Sequence, residues 1–171
     1  HEEKKAVART IKNYVGQGGF LFAMCSATDS YDIALSEEGI DATHRVFDGT
    51  PIDPNAQSRL DFSKSLAFTE FNLITDPMVY EYSDIDFPPS NNPITRGAEA
   101  DYFTLFEFSA KFDPVPTMLT QNHIFTIKGF MGQTTGYHKS KIKKHIVLMG
   151  EDPASEQVKY LHASFGKGAY A

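Results

Sequence analysis

Cysteine occurs once, as Cys25, and that scarcity excludes an intramolecular disulfide and any cysteine-rich zinc site. It does not fix the compartment, because many exported proteins carry no disulfide. Tryptophan is absent although there are 14 phenylalanines. The aromatic-rich middle (Phe62, Phe68, Phe71, Tyr80, Tyr82, Phe103, Phe106, Phe108) therefore reads as core packing rather than a carbohydrate- or peptide-stacking groove. No apolar run approaches the roughly 18 residues that a membrane helix needs, and no signal-peptide pattern is present. Positive charge is also short: 16 Lys and Arg face 22 Asp and Glu, for a net charge of −6. Without a dense basic block nucleic acid is not expected as a partner, and without a long apolar run neither is a membrane.

What remains is ordinary globular material. The 171 residues are 41% hydrophobic and 22% charged, enough for one domain around one core. The chain starts at His1 inside a helical pattern and stops at Ala171 inside a strand pattern, which reads as a piece of a longer protein. Residues 2 to 15 place Ala6, Val7, Ile11, Tyr14 and Val15 on one face of an amphipathic helix, with Glu2 and Glu3 at its positive end. Gly16, Gly18 and Gly19 then turn the chain into Phe20-Leu21-Phe22-Ala23-Met24, apolar throughout, as a central strand covered on both faces would be. Cys25 ends that run. Ser26-Ala27-Thr28-Asp29 follows, and a helix over 29 to 38 is expected, with Asp29 or Ser30 as its N-cap and Gly39 at its end.

Beyond Ile40 the pattern weakens into a long excursion marked by aspartates and prolines. Ser65 to Ile74 and Met78 to Tyr82 are strand candidates, and Phe87 to Pro93 is a loop. Asp101 to Lys111 reads as an aromatic strand, Met118 to His123 as a short strand or turn, and 124 to 140 as a glycine-containing loop or bent strand. His145 to Gly150 is another strand. Val158 to Phe165 and Ala169 to Ala171 flank Gly166-Lys167-Gly168, the signature of a hairpin. The class is α/β, parallel-like at the start and hairpin-like at the end.

The stretch YVGQGGFLFAMCSATD, with HIVLMGEDPASEQVKYLHASFGKGAYA at the other end, resembles the class I glutamine amidotransferase-like superfamily, and within it the ThuA-like branch. That resemblance implies a flavodoxin-like sheet with flanking helices and a nucleophile elbow after a central strand. Residues 40 to 120 then become a β-rich, irregular, family-specific insertion in a single domain spanning 1 to 171. It also implies a cysteine-dependent amidase or glutamine amidotransferase acting on a small-molecule amide, without a cofactor, in an exported parent protein. The sequence departs from the pattern at Ala23 and Ala27, where the family's elbow carries glycines, and the family's catalytic histidine and glutamate follow the last strand.

Cys25 is accordingly the candidate nucleophile, a thiol at a strand-to-helix turn, with the backbone N–H of Ser26 as oxyanion donor and His162 as the histidine that the hairpin could bring near. Each has a plainer reading. A lone cysteine is commonly a small buried hydrophobe, and a strand histidine is commonly structural. Ser26, Thr28, Asp29 and Asp32 read as caps and turn hydrogen bonds. His123 and His145 also lie in or beside strands, while His1, His44 and His138 look like loop or terminal residues. No histidine pair has metal-ligand spacing, so no metal is expected. The alternative to an enzyme is a non-catalytic domain that keeps the fold for binding or assembly.

Overall fold

The structure is a computed structural model that describes residues 1–79, 81–87, 102–105, 126–128, 136–152 and 154–171. Tyr80, most of the loop 87 to 93, the end of the 101 to 111 strand, and 118 to 123 lie outside the described residues. Side chains of Phe103, Phe106 and Phe108 lie outside them too.

The chain begins with helix α1, Glu2–Gly16, whose start carries Glu2 and Glu3. Its inward stripe is Lys5, Ala8, Lys12 and Val15, spaced at three and four residues, rather than the expected face. Val7 and Tyr14 are exposed. Two lysines can face inward because their stems are apolar and their heads find oxygens. The Nζ of Lys5, 2% exposed, donates to the carbonyls of Glu37 (3.0 Å) and Ile40. That of Lys12 reaches the Lys64 carbonyl and lies 5.2 Å from the centre of the Phe165 ring.

Strand β1, Phe20–Leu21, follows, then helix α2, Ala27–Ser36. Two one-turn helices, α3 (Arg45–Asp48) and α4 (Ala56–Arg59), sit within the irregular excursion. Strands β2 (Tyr102–Leu105), β3 (Thr126–Lys128), β4 (Tyr137–His138), β5 (Val147–Asp152), β6 (Gln157–Phe165) and β7 (Gly168–Tyr170) follow, with a one-turn 3-10 helix, Lys139–Lys141, between β4 and β5. They form one mixed sheet in the order β1-β7-β6-β5-β2-β3, with β4 also paired to β6. β1 and β7 run parallel, Phe20 opposite Ala169 and Leu21 opposite Tyr170. The other pairings among the described strands are antiparallel. The class is α/β, with helices and a mixed sheet.

The β6–β7 hairpin is the feature that most directly follows from local sequence. Gly166 takes φ +61°, open to glycine at little cost, and Gly168 lets β7 close on the α1–β1 turn. A Cβ on Gly168 would stand 2.1 Å from both the Gly19 and the Val15 carbonyl oxygens. The closeness is used: Lys167 N–H donates to Gly16 O (2.9 Å) and Ala169 N–H to Gly19 O (3.1 Å).

β1 corrects the expectation of a central strand. It is two residues long and stands at one end of the strand order, bonded to β7. Phe22 and Met24 are 54% and 65% exposed, so the apolar run is covered on one face, through Leu21, and open on the other. The two strand candidates 65 to 74 and 78 to 82 are also corrected. Among the described residues of these stretches only isolated bridges occur, Phe68 with Ile142 and Leu73 with Ser83. For 65 to 74 the reason is a buried carboxylate. Asp32, on α2, accepts the backbone N–H groups of Leu66 (2.6 Å), Ala67 (2.7 Å) and Phe68 (2.8 Å), which removes those donors from any strand ladder. The carbonyls of the same segment are bound as well: Ser65 by the Lys143 Nζ (2.6 Å), Leu66 by the Tyr170 hydroxyl (2.9 Å), Ala67 by the Lys143 N–H (2.9 Å).

This stitched segment delivers the core. Leu66, Ala67, Phe68 and Phe71 are buried with Ile33 and Leu35 of α2, Ile85, Tyr137, Val158, Leu161 and Tyr170. Phe62 meets Phe71 edge-on at 4.8 Å between ring centres, and Phe68 leans on Tyr137 at 5.1 Å. These three phenylalanines serve as core. Tyr82, by contrast, is exposed.

Candidate active site at the Cys25 turn

Three residues, Met24, Cys25 and Ser26, connect the last hydrogen bond of the β1 ladder to α2. Ala23 N–H still donates to Ala171 O at 2.9 Å, continuing the parallel ladder. The chain then turns at Cys25, whose φ is +57°. That region is costly for a residue with a Cβ, about 1 to 2 kcal/mol, and glycine would sit there freely. Cys25 is exposed. A tight, strained strand-to-helix turn that presents its side chain outward is the geometry of a nucleophile elbow.

The turn fixes the neighbouring amides. Ala27 N–H returns to Met24 O and Thr28 N–H to Cys25 O, each at 3.2 Å. Ser26 is the residue before the helix, in place of the expected Asp29 or Ser30, and it caps with its backbone and not its side chain. Its carbonyl accepts both the Ser30 N–H (3.2 Å) and the Ser30 hydroxyl (2.6 Å). Capping thus passes from side chains to the strained turn, which itself starts the helix two residues early.

Behind the turn the structure gathers acids. Asp29, on the first turn of α2, is buried, and one of its oxygens accepts the Ser30 N–H at 2.7 Å. Burial raises its carboxyl to about 6, with the charge of Glu81 adding to the rise. Asp86 is raised to about 7 by burial, then by the charges of Asp29 and Glu81. One oxygen each of Glu81 and Asp86 is buried with no hydrogen-bond partner among the described residues. Tyr137 closes the group. Its backbone bridges to Asp86, and burial raises its pKa, with Asp86, Asp29 and Cys25 adding to the rise and Thr28 pulling the other way. Tyr137 is therefore the group that lies within electrostatic reach of both the thiol and the two carboxyls.

His162 is placed elsewhere. It lies on β6 opposite Val147, two strands from β1, and is 2% exposed, whereas Cys25 is on the surface. His138 stacks on Phe87 at 3.7 Å between ring centres, and burial lowers its pKa. His44 caps α3, its Nδ1 accepting the Val46 N–H at 3.2 Å. His123 lies outside the described residues. Of the three predicted site residues, Cys25 and Ser26 are thus adjacent at the turn and His162 is not with them. Asp86 and Tyr137 were not foreseen, because they come from a distant loop and from β4, and no local spacing links either to Cys25.

Among the described residues one set of His, Cys, Asp and Glu side chains has its donor atoms within 4.8 Å of one another: His1, Asp41 and Asp48. No described helix is long and apolar enough to cross a membrane. Compared with protein-family models, with curated proteins and with solved structures, the chain matches none.

Proposed function

We propose that the chain carries the nucleophile of a cysteine-dependent amide hydrolase, of the glutamine amidotransferase-like kind in a flavodoxin-like setting. The single observation that supports it is the backbone of Cys25: an exposed thiol held at φ +57° between a strand and a helix. A non-glycine residue persists in that region only where its surroundings hold it there, and such positions concentrate at functional sites. In the proposed reaction the Cys25 thiol gives up its proton and its sulfur attacks the substrate's amide carbonyl; the C–N bond breaks as the nitrogen is protonated and leaves as ammonia or an amine, and water then hydrolyses the thioester, releasing the carboxylic acid and restoring the thiol. The Ser26 N–H is the donor toward the oxyanion. Proton transfer falls to the carboxyls behind the turn and not to His162. Asp86, raised to about 7, has the pKa that general acid–base work near neutrality favours.

A thiol-directed glutamine analogue tests this. It should label Cys25 stoichiometrically in the folded protein, and Asp86→Asn should shift the pH profile of labelling while leaving the fold intact. Labelling that is no faster than that of the urea-unfolded chain ends the proposal.

A second reading, a binding or assembly domain without activity, is supported by the position of His162, buried two strands away. Under it, Cys25→Ser changes no amide turnover, and Asp86→Asn leaves the thiol's pH profile where it was.

A further inference from the structure

His1, Asp41 and Asp48 belong to no part of the Cys25 site, and they come from three separate pieces of chain. His1 precedes α1, Asp41 follows the turn after α2, and Asp48 ends α3. Their donor atoms nevertheless meet. The Nδ1 of His1 lies 2.7 Å from Asp48 Oδ2 and 3.7 Å from Asp41 Oδ1. All three side chains are largely shielded, at 21%, 18% and 12% exposure.

The arrangement around them orients one oxygen of each carboxylate toward the imidazole. Thr50 does most of this. Its hydroxyl donates to Asp41 Oδ2 at 2.5 Å and its N–H donates to Asp48 Oδ1 at 3.1 Å. It reaches both because Gly49, at φ +82°, reverses the chain directly after α3. Thr43 N–H adds a bond of 3.2 Å to Asp41 Oδ1. The imidazole is oriented as well, since its other nitrogen, Nε2, lies 3.3 Å from Glu2 Oε1. A histidine with one nitrogen facing two carboxylate oxygens and the other backed by a carboxylate is the pattern of a metal ligand with its outer partner.

We infer that His1, Asp41 and Asp48 form a binding site for a divalent transition-metal cation. A metal–ligand bond is about 2.0 to 2.2 Å long, so neighbouring ligand atoms on one tetrahedral ion lie roughly 3.3 to 3.6 Å apart. The His1–Asp48 distance of 2.7 Å and the His1–Asp41 distance of 3.7 Å lie on either side of that range, and sub-ångström movements reconcile them. One imidazole and two carboxylates form a mixed nitrogen–oxygen set. Such a set favours zinc or its first-row neighbours over magnesium, which prefers oxygens and retains its waters. Three protein ligands leave positions open for water. The ion would tie α1, the loop after α2 and α3 together. The inference does not depend on what Cys25 does.

The test uses the chain with its α-amino group acetylated, so that an amine–imidazole chelate cannot account for binding. Zinc is titrated in by calorimetry, and the ring carbon-bound protons of His1 are followed by NMR. One zinc should bind per chain, with magnesium at least about tenfold weaker. Asp41→Asn and Asp48→Asn should each weaken zinc by about tenfold or more, and Thr50→Ala by less than either. The His1 ring resonances should move in step with saturation, a readout on the unsubstituted chain that needs no variant to fold. The inference is overturned if zinc saturates only above millimolar concentration, if the His1 resonances stay still, or if both asparagine variants bind as the parent does.

Discussion

Asp32 offers the sharpest test of what holds this fold together. Its carboxylate is buried and accepts three consecutive backbone N–H groups, Leu66 on one oxygen, Ala67 and Phe68 on the other. Burial raises its pKa, while the three N–H donors and the charge of Lys143 pull the other way. Replacing it with alanine strands three donors in the core. Each buried donor left unpaired costs about 1 to 3 kcal/mol, offset by relief of the carboxylate's own desolvation. A net loss of about 3 to 5 kcal/mol is expected, against the roughly 5 to 15 kcal/mol that a domain of this kind has in total.

Asparagine sharpens the reasoning. With its carbonyl where Oδ2 now stands, it keeps the Ala67 and Phe68 bonds and turns its own N–H₂ toward the Leu66 N–H. Asp32→Asn should therefore cost about 2 kcal/mol, clearly less than alanine. Urea unfolding followed by far-ultraviolet circular dichroism measures both, tyrosine fluorescence serving as the second probe because tryptophan is absent. If Asp32→Ala lies within about 1 kcal/mol of the parent, or if asparagine is the worse of the two, the carboxylate does not anchor the segment.

Further outcomes follow from the same structure. Gly168→Ala should lose about 2 to 3 kcal/mol in the same unfolding assay, because its Cβ meets two backbone oxygens at 2.1 Å with no flexible side chain to yield. Stability should fall as pH rises from about 4 to 7. Asp29 (raised to about 6), Glu37 (about 7) and Asp86 (about 7) bind protons more tightly folded than unfolded, so their contribution is full below the unfolded pKa and is lost through the folded one. Asp86→Asn should flatten that slope and add about 2 kcal/mol at pH 8, measured as the unfolding midpoint across pH. Cys25→Gly should be about 1 kcal/mol more stable than Cys25→Ala, since only glycine takes φ +57° freely; equal midpoints would mean that the turn is not strained.

The parts of the fold legible in sequence are those whose cause is local. α1 follows from a 3.6-residue rhythm, and the β6–β7 hairpin from Gly166-Lys167-Gly168. The inward face of α1 was misread because a hydropathy pattern treats Lys5 as polar. Here Lys5 is buried, its ammonium against carbonyls at the end of α2. The apolar run Phe20 to Met24 promised a central strand, yet whether a strand is central depends on what pairs beside it, and no residue within the run encodes that. Ser65 to Ile74 has strand composition, but Asp32 takes three of its N–H groups from more than thirty residues away. A propensity loses to a buried carboxylate that needs its donors.

The candidate sites divide along the same line. The Cys25 turn could be seen because strand, cysteine and helix are contiguous, and the positive φ that supports its proposed role lies within that turn. Its acidic surroundings could not be seen. Asp86 and Tyr137 arrive as bridge partners, Asp86 from a loop and Tyr137 from β4. Nor could His1, Asp41 and Asp48, which meet only because α1 packs against α2 and Gly49 reverses the chain after α3. Folding, and not local sequence, decides where this chain puts its carboxylates. One carboxylate, Asp32, holds backbone amides and organises the core. A second group is Asp29, which is buried, with Glu81 and Asp86, which are partly so. A third pair, Asp41 and Asp48, faces an imidazole. Each puts the same functional group in a different environment, and that difference is set by tertiary packing, which residue type alone does not reveal.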